Sequence, residues 1–433
     1  MTGEARIIRA DRSQVHWDMI DLEALLASDH RVRVVWSFAE RLDLSDLYAA
    51  IGSRAGEAGR PAADPRVLLA LWLYATVDGV GSARELDRLA ERDLAYRWLA
   101  GGVPLNYHGL AAFRVDHVAV LDRLLTESVT ALVAEGLVSL AEITVDGTKV
   151  RANASRASFK TEPTLARIEA AAEARIAALK AEIESDPAAG ARRRLASQLR
   201  AQRDIEQRAA AARAALERLH AEKQERAKRH AKAEAAKGEP KVSLSDPEAR
   251  SMRFHDRAIR PAYNAQIAAA GRAGIIVSVA MTDRRNDAGL ALPMVEDIVQ
   301  RYGVAPERLL VDTHYATSED IVALAKHAAG PVTVFAPLPS ERETVQPETL
   351  AKRAKARARE PDTLKEWRTR MATAAGQAIY RLRLRIERIN ADRKNHGFGF
   401  IAVRGLVKAQ GVALLHALAN NLMAAHRLRS QAA

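Results

Sequence analysis

Residues Ala141–Ser155, AEITVDGTKVRANAS, are the stretch that decides the fold. They alternate between apolar and polar and are rich in β-branched residues, a pattern that predicts a short strand leading into a turn. Asp146 directly follows the expected strand Ile143–Val145, and an Asp-Gly pair is a turn signature in its own right. We therefore expect a strand that ends in an acidic side chain, with a sheet built outward from it.

The C-terminal half alternates between strand and helix patterns. Ile275–Ala280, IIVSVA, is a short continuous apolar run of the kind found in buried strands. A second strand, Leu309–Val311, ends in Asp312, and Val332–Ala336 has the pattern of a third. Such alternation predicts a mixed α/β sheet, an α+β or mixed α/β fold class. The helices expected in this half are Asp287–Gln300, Ser318–His327, Ala372–Ile389 and Gly411–Leu428.

The first 139 residues have helical patterns. Asp64-Pro65 is an N-cap followed by proline at the first helical position, and Ser82 with Glu85 three residues later forms a capping-box pattern. Short helices with tight glycine turns are compatible with a helix-turn-helix DNA reader, and equally with helices that only pack a core. The sequence leaves both interpretations open.

Between the two halves lies a long helical stretch. Apolar residues recur every three or four positions from Leu165 to Ile183, and Asp186-Pro187 predicts a break before a second helix. An antiparallel helical hairpin, followed by an exposed linker over Ala231–Asp246, is the simplest interpretation. The expected domains are a helical N-terminal domain (1–139), a catalytic domain (140–160 and 247–433) and an inserted hairpin with its linker (161–246).

Composition restricts the classes of function. The net charge of +12 and a pI near 10.0 suit a protein that binds nucleic acid, although basic residues also serve solubility. The chain has no cysteine, which excludes disulfides and thiolate metal sites. Its apolar runs are shorter than the roughly 18–20 residues of a membrane span, and MTGEARIIRADRSQ at its start lacks the apolar core of a signal peptide. We expect a cytoplasmic protein without a membrane partner.

Three acids are candidates for metal chemistry: Asp146 and Asp312 at strand ends, and Glu387 near the end of the helix Ala372–Ile389. Mg²⁺ prefers oxygen ligands and commonly binds one or two carboxylates together with substrate phosphates. Two such ions about 4 Å apart activate the attacking oxygen and stabilise the leaving oxygen of a phosphoryl displacement. Singly, each acid is weak evidence, because an aspartate after a strand is more often a turn former or a helix cap.

The pattern as a whole resembles a known family. Tyr380, Arg383, Glu387 and Lys394 reproduce the Y-x2-R-x3-E-x6-K signature of IS4/IS5-type insertion-sequence transposases, and residues three and four apart share a helix face. The flanking segments resemble the IS1182 family in particular. They are GRPAADPRVLLALWLYATVDGVGSARELDRLAERDLAYRWLAGGVPLNYHGLAAFR, VDGTKVRANAS, SDPEARSM, YNAQIA, VDTHYATSEDI, IERINADRKNHGF and VRGLVKAQGVALLHALANNL.

The resemblance implies a DDE transposase with an RNase H-like catalytic domain, in which the helical hairpin is inserted after the first acid-bearing strand. Asp146, Asp312 and Glu387 match its three acids, which would hold two Mg²⁺ or Mn²⁺ ions. Arg383 and Lys394 would contact phosphates, and Tyr380 would lie near the scissile strand. The partners would be double-stranded DNA, as terminal inverted repeats and target, and a second copy of the chain on that DNA. Lys149 and Arg404 are further expected DNA contacts.

The sequence departs from the family pattern at two places. YNAQIAAAG lacks an acid that relatives carry after YNxQxAV, and Thr313-His314 stands where a glycine pair is common. Two alternatives to an active transposase therefore stay open at this point. One is an inactive or domesticated DNA-binding derivative, and the other is an RNase H-like nuclease that cuts DNA without joining it.

Overall fold

The structure is a computed structural model that describes residues 21–53, 61–185, 189–235, 238–271, 274–313, 315–338 and 354–432. The predicted mixed α/β organisation is confirmed, with helices as the larger part. The helices are α1 (Arg31–Arg41), α2 (Ser45–Ala49), α3 (Pro65–Asp78), α4 (Ala83–Arg92), α5 (Leu94–Ala100), α6 (Tyr107–Asp116), α7 (Val118–Ala134), α8 (Glu162–Ser185), α9 (Ala189–Ala235), α10 (Ala291–Tyr302), α11 (Ser318–Ala325), α12 (Asp362–Ala372), α13 (Ala374–Tyr380), α14 (Leu384–Arg393) and α15 (Leu406–Ala432). The strands are β1 (Glu142–Arg151), β2 (Phe159–Lys160), β3 (Val242–Ser243), β4 (Arg250–Arg253), β5 (Ile259–Ala270), β6 (Ile275–Thr282), β7 (Arg308–Leu310) and β8 (Thr333–Phe335).

The main sheet is mixed, and β1 lies at its centre. On one side β1 pairs antiparallel with β5, whose other edge carries β4 and then β6, both antiparallel to it. On the other side β1 pairs parallel with β7, and β7 pairs parallel with β8. The apolar residues Ile143, Val145 and Val150 of β1 are fully buried, which explains why this strand lies inside the sheet rather than at an edge.

The predicted end of the first strand was wrong. β1 continues through Asp146 and Gly147 to Arg151, because β5 supplies hydrogen-bonding partners along this whole length, with Asp146 opposite Ile267 and Gly147 opposite Gln266. Asp146-Gly147 is therefore strand and not turn. Tertiary pairing outweighed the local turn preference of the Asp-Gly pair.

The C-terminal helix α15 covers the edge strand β6 with amide side chains. Asn421 accepts from the backbone N–H of Ile276 and donates to its carbonyl oxygen, both at 2.7 Å. Gln410 makes the same pair of contacts lower on the strand, with the N–H of Met281 (2.9 Å) and the carbonyl oxygen of Val279 (2.7 Å). These contacts satisfy backbone groups that an exposed edge strand leaves open. They give the motif VRGLVKAQGVALLHALANNL a structural role.

One hydrophobic core runs through the N-terminal helices, the sheet and α15. Fully buried side chains from α3, such as Leu71, belong to the same cluster as Ile276 of β6 and Leu418 of α15. Among the described residues, no helix is long and apolar enough to cross a bilayer.

The segment between β2 and β3 contains two helices, α8 and α9, which share a small apolar cluster with β3. Leu165 of α8 packs with Leu216 and Leu219 of α9 and with Val242 of β3. The expected break at Asp186-Pro187 lies outside the described residues. The predicted linker over 231–246 was wrong at both ends, because α9 runs to Ala235 and Val242–Ser243 pairs with β2.

Several helix boundaries also differ from the prediction. α11 begins at Ser318 as expected, with Thr317 as its N-cap in a capping box with Asp320, but it ends at Ala325 rather than at His327. The last helix, expected over Gly411–Leu428, spans Leu406–Ala432. Asp287 lies in the loop between β6 and α10, because α10 begins only at Ala291. The helix expected over 372–389 is divided into α13, a 3₁₀ turn at Arg381–Arg383, and α14.

We expect Asn421→Ala to lower the free energy of unfolding by roughly 2–5 kcal/mol, because it leaves a buried N–H and a buried carbonyl of β6 without partners. Urea denaturation of both proteins measures this difference. Gln300→Ala, an exposed amide on α10, is the matched control and should change the free energy by less than about 0.5 kcal/mol. Equal stabilities of the Asn421 variant and the wild type would contradict this role of α15.

Candidate active site

Asp146 and Asp312 are brought to the same level of the sheet by the parallel pairing of β1 and β7. Thr144 lies opposite Leu310, and each aspartate follows two residues later along its own strand direction. Their proximity has an electrostatic consequence, since the negative charge of Asp312 raises the pKa of Asp146. The two expected strand-end acids are thus neighbours.

The Asp146 carboxyl is poorly hydrated. Its side chain is 15% exposed, and burial, which disfavours the charged form, raises its pKa to about 6 from the ordinary 3.8. Arg383 lowers this pKa, whereas the nearby carboxylates of Asp312 and Asp287 raise it. The site is therefore one in which a cation stabilises the ionised form.

Arg383 bridges Asp146 and Glu387. Its Nη2 donates to Oδ1 of Asp146 and its Nη1 donates to Oε1 of Glu387, both at 2.8 Å. The Arg383 side chain is 12% exposed, while that of Glu387 is 53% exposed. Asn390, one turn along α14, donates to the other oxygen of Asp146 at 2.8 Å. One guanidinium thus lies between the two acids that the sequence placed far apart in the chain.

The helical segment carrying Tyr380, Arg383 and Glu387 is not a single α-helix. Tyr380 ends α13, Arg383 ends the 3₁₀ turn, and Glu387 lies in the first turn of α14. The residues at the junctions keep right-handed helical dihedral angles, so the spacing of three and four still directs the side chains to one side.

Tyr380 and Lys394 flank this group. Burial raises the pKa of Tyr380, Arg383 lowers it, and Asp312 raises it further, so the phenol lies beside the acids. Removal from water lowers the pKa of the Lys394 ammonium, and Asp146 offsets part of that effect. Both residues of the Y-R-E-K signature are therefore within electrostatic range of the site.

The two other expected DNA contacts are Lys149, further along β1, and Arg404, in the loop before α15. Lys149 donates from Nζ to the carbonyl oxygen of Arg253 at 2.9 Å, and Arg404 donates from Nε to the carbonyl oxygen of Asn153 at 3.0 Å. Lys149 is three residues from Asp146, so alternation along the strand directs it to the opposite face of the sheet. His314 lies outside the described residues.

Two family models match the chain. Residues 245–422 match the model "Transposase DDE domain", and residues 20–116 match the model "Transposase domain (DUF772)". The chain is a DDE transposase. The two matches together cover more than half of the chain, and this pair of domains is the architecture of IS1182-family transposases. Asp312 and Glu387 lie inside the first match, and Asp146 lies between the two. No curated protein and no solved structure matches the chain significantly.

The site of the transposase contains residues that the sequence analysis missed. Asn390 holds Asp146, and Asp287 accepts hydrogen bonds from Asn264 (2.6 Å) and Gln266 (2.9 Å). One signal was available for the latter pair. Asn264 and Gln266 are polar residues two apart in the otherwise apolar strand YNAQIA, which places both on one face of β5. The position of Asp287 depends on how the loop before α10 folds, which no local pattern shows.

The donor atoms of the transposase site suit a hard divalent cation. They are carboxylate oxygens, the ligands that Mg²⁺ and Mn²⁺ prefer. Within the described residues, however, no three acidic or histidine side chains stand together as a ready metal site, because Arg383 lies between Asp146 and Glu387. The carboxylate oxygens of the site therefore suit a divalent cation, and the guanidinium of Arg383 separates the carboxylates of Asp146 and Glu387.

The pKa of Asp146 predicts how stability depends on pH in metal-free transposase. An acid whose pKa is raised to about 6 in the folded state makes the protein less stable as pH rises from about 4 to about 6. Asp146→Asn removes this effect, so the variant should gain roughly 1–3 kcal/mol relative to wild type between the two ends of that window. Melting temperatures of both proteins in EDTA across this range measure it. A constant difference would contradict the shifted pKa.

Proposed function

We propose that this transposase cuts DNA at the ends of its element and joins those ends to target DNA, with Asp146, Asp312 and Glu387 as its three acids. The observation that carries the proposal is their convergence around one guanidinium, although they come from β1, from the turn after β7 and from α14. Neighbouring carboxylates repel one another, most strongly at the poorly hydrated Asp146, so cations stabilise their ionised forms.

We propose that the three acids hold two Mg²⁺ or Mn²⁺ ions. When bound, such ions activate the attacking oxygen and stabilise the leaving oxygen of the phosphodiester. The raised pKa of Asp146 supports this, since its charge is only partly compensated by Arg383 and Asn390.

Arg383 has two tasks in this proposal. It holds Asp146 and Glu387 near each other while it neutralises them, and its planar fork suits a phosphate oxygen pair as well as it suits carboxylates. The surrounding carboxylates, Asp146 first, raise its pKa against the opposing effect of burial, so it stays charged. Lys394 and Arg404 would add phosphate contacts, and Tyr380 would pack near the scissile strand, whereas Lys149 lies on the opposite face of the sheet from Asp146.

We further propose an RNase H-like catalytic domain over 140–160 and 247–433, interrupted by the helical segment 161–246. Support comes from the sheet, in which three long antiparallel strands continue into two parallel ones and the first two acids lie on adjacent strands. The N-terminal region to residue 139 would bind terminal inverted repeats. Joining two ends needs two active sites, so we propose a homodimer on DNA, acting in the bacterial cytoplasm where that DNA is.

Asp146→Asn, Asp312→Asn and Glu387→Gln should each reduce strand cleavage by at least about a thousandfold, because each removes a charged ligand from the metal site. Binding to the element's terminal repeat should stay within a few-fold of wild type. Cleavage and joining assays on labelled terminal-repeat DNA with Mg²⁺ measure the first, and electrophoretic mobility shifts measure the second.

Asp362→Asn and Glu366→Gln, exposed acids on α12, are the matched controls and should cleave normally. Cleavage at the wild-type rate in any of the three variants would remove that residue from the site. Cleavage in excess EDTA would contradict a metal mechanism, and cleavage without joining by the wild type would point to a nuclease.

Lys394→Ala should weaken DNA binding and reduce the slope of log K against log salt by about 0.9, the value for one lost phosphate contact. Lys365→Ala, an exposed lysine that pairs with Asp362, is the control and should leave the slope unchanged. Fluorescence anisotropy over a salt series measures both. A Lys394 variant with the wild-type slope would place this residue away from DNA.

A further inference from the structure

Asp287 is a loop acid held by two buried amides. Its Oδ1 accepts from Nδ2 of Asn264 at 2.6 Å and from Nε2 of Gln266 at 2.9 Å. Asn264 and Gln266 are each 1% exposed, so their amide groups need partners inside the protein. A charged acceptor makes these hydrogen bonds stronger than neutral ones. Asp287 is thereby fixed against the face of β5.

Asp287 also lies against the strand of the first acid. A Cβ atom added to Gly147 would come within 2.1 Å of Oδ1 of Asp287, a distance at which the two atoms cannot coexist. Gly147 is the neighbour of Asp146 in β1. Only glycine therefore lets the Asp287 carboxylate approach the backbone beside Asp146.

The hydrogen bonds of Asp287 and Gln266 extend to Tyr315, which bonds in turn to the backbone of Asp312. Oε1 of Gln266 accepts from the hydroxyl of the fully buried Tyr315 at 2.5 Å, and the backbone N–H of Gly289, two residues after Asp287, donates to the carbonyl oxygen of Tyr315 at 3.1 Å. The N–H of Tyr315 donates to the carbonyl oxygen of Asp312 at 3.3 Å. Tyr315 is thus held at two points. Its hydroxyl group bonds to Gln266, which Asp287 fixes, and its carbonyl oxygen bonds to the backbone of the Asp287 loop.

The face of the sheet indicates what Asp287 does. Gln266 lies opposite Gly147 in the register, whereas Asp146 lies opposite Ile267. Because neighbouring residues of a strand point to opposite faces, Asp287 lies on the face away from the Asp146 side chain. This placement suits a residue that fixes the backbone of the acids and does not suit one that shares their ligand.

We propose that Asp287 is a positioning residue of this site: it ties β1 at Gly147 to Tyr315, whose N–H bonds to the carbonyl oxygen of Asp312, and so sets the distance between the carboxylates of Asp146 and Asp312. The proposal rests on the proposed function, since it takes these two aspartates as metal ligands. Asp287 is not one of the three acids. The pairing of β1 with β7 ends at Leu310, before Asp312, so it does not by itself fix the position of Asp312 relative to Asp146, and the contacts of Asp287 do.

The test compares Asp287→Ala with Asp287→Asn. The alanine removes the acceptor of both amides, and we expect it to weaken Mn²⁺ binding by about 10–100-fold, the usual effect of losing a group that orients a metal ligand. The asparagine keeps an oxygen for Asn264 and Gln266, so its affinity should stay within about threefold of wild type. Isothermal titration of the DNA-free full chain with Mn²⁺ measures both without relying on activity, and Glu296→Ala, an exposed acid on α10, is the control.

A second pair of variants tests the geometry at Gly147. Gly147→Ala should weaken Mn²⁺ binding in the wild-type background, because the added methyl group collides with Asp287. In the Asp287→Ala background the same methyl group has room and should cost nothing further. If Asp287→Ala does not fold, as judged by its melting curve, Tyr315→Phe breaks the same network by one hydroxyl group and should weaken Mn²⁺ binding in the same direction.

Wild-type Mn²⁺ affinity in Asp287→Ala, or in Tyr315→Phe where that variant stands in for it, would overturn the proposal. So would an Asp287→Asn variant as weak as Asp287→Ala, since the charge itself would then be required and Asp287 would be a ligand. Additive effects of the Gly147 and Asp287 substitutions would contradict the contact between them. Asp312→Asn distinguishes a failure of the positioning proposal from a failure of the proposed metal site. Normal Mn²⁺ binding by that variant would contradict the metal site itself.

Discussion

The salt bridges of Arg383 are the interaction on which the rest of the site depends. Its guanidinium donates to Asp146 and to Glu387 at 2.8 Å each, and only 12% of the side chain is exposed. Breaking such a poorly hydrated pair would leave an uncompensated charge, which is strongly destabilising. The bridge therefore ties the central strand β1 to the helix α14. It brings together Asp146 and Glu387, two acids that lie far apart in the chain.

Backbone contacts after α14 also hold the C-terminal segments against the sheet. The segment after α14 returns to β1, where the N–H of Arg151 donates to the carbonyl oxygen of Gly399 at 3.0 Å and the N–H of Ile401 donates to that of Arg151 at 2.8 Å. Glu248 then accepts from the first N–H of α15, that of Leu406, at 2.7 Å. The motif segments that do not carry acids thus anchor the helices around the sheet. Some motif residues of this transposase therefore lie in the candidate site, and others anchor the helices that surround it.

The sequence predicted which three acids to consider, and the structure brings Asp146 and Glu387 to one guanidinium, but the sequence did not show what surrounds them. Alternation and apolar runs located β1, β6, β7 and β8, and the spacing within the Y-R-E-K signature located Glu387, because both signals are local. The extension of β1 through Asp146-Gly147 could not be predicted, since it depends on pairing with β5, more than a hundred residues away. Asp287 looked like the start of a helix, and only the folded loop brings it to Asn264 and Gln266. Long-range packing decided each difference.

We infer that Asp146, Asp312 and Glu387 form one divalent-metal site beside the guanidinium of Arg383. Anomalous X-ray scattering from crystals of the transposase grown with Mn²⁺ tests it most directly. We expect a manganese peak within ligand distance, about 2.0–2.3 Å, of carboxylate oxygens of these three acids. A manganese peak elsewhere, with none at these carboxylates, would contradict the proposed site.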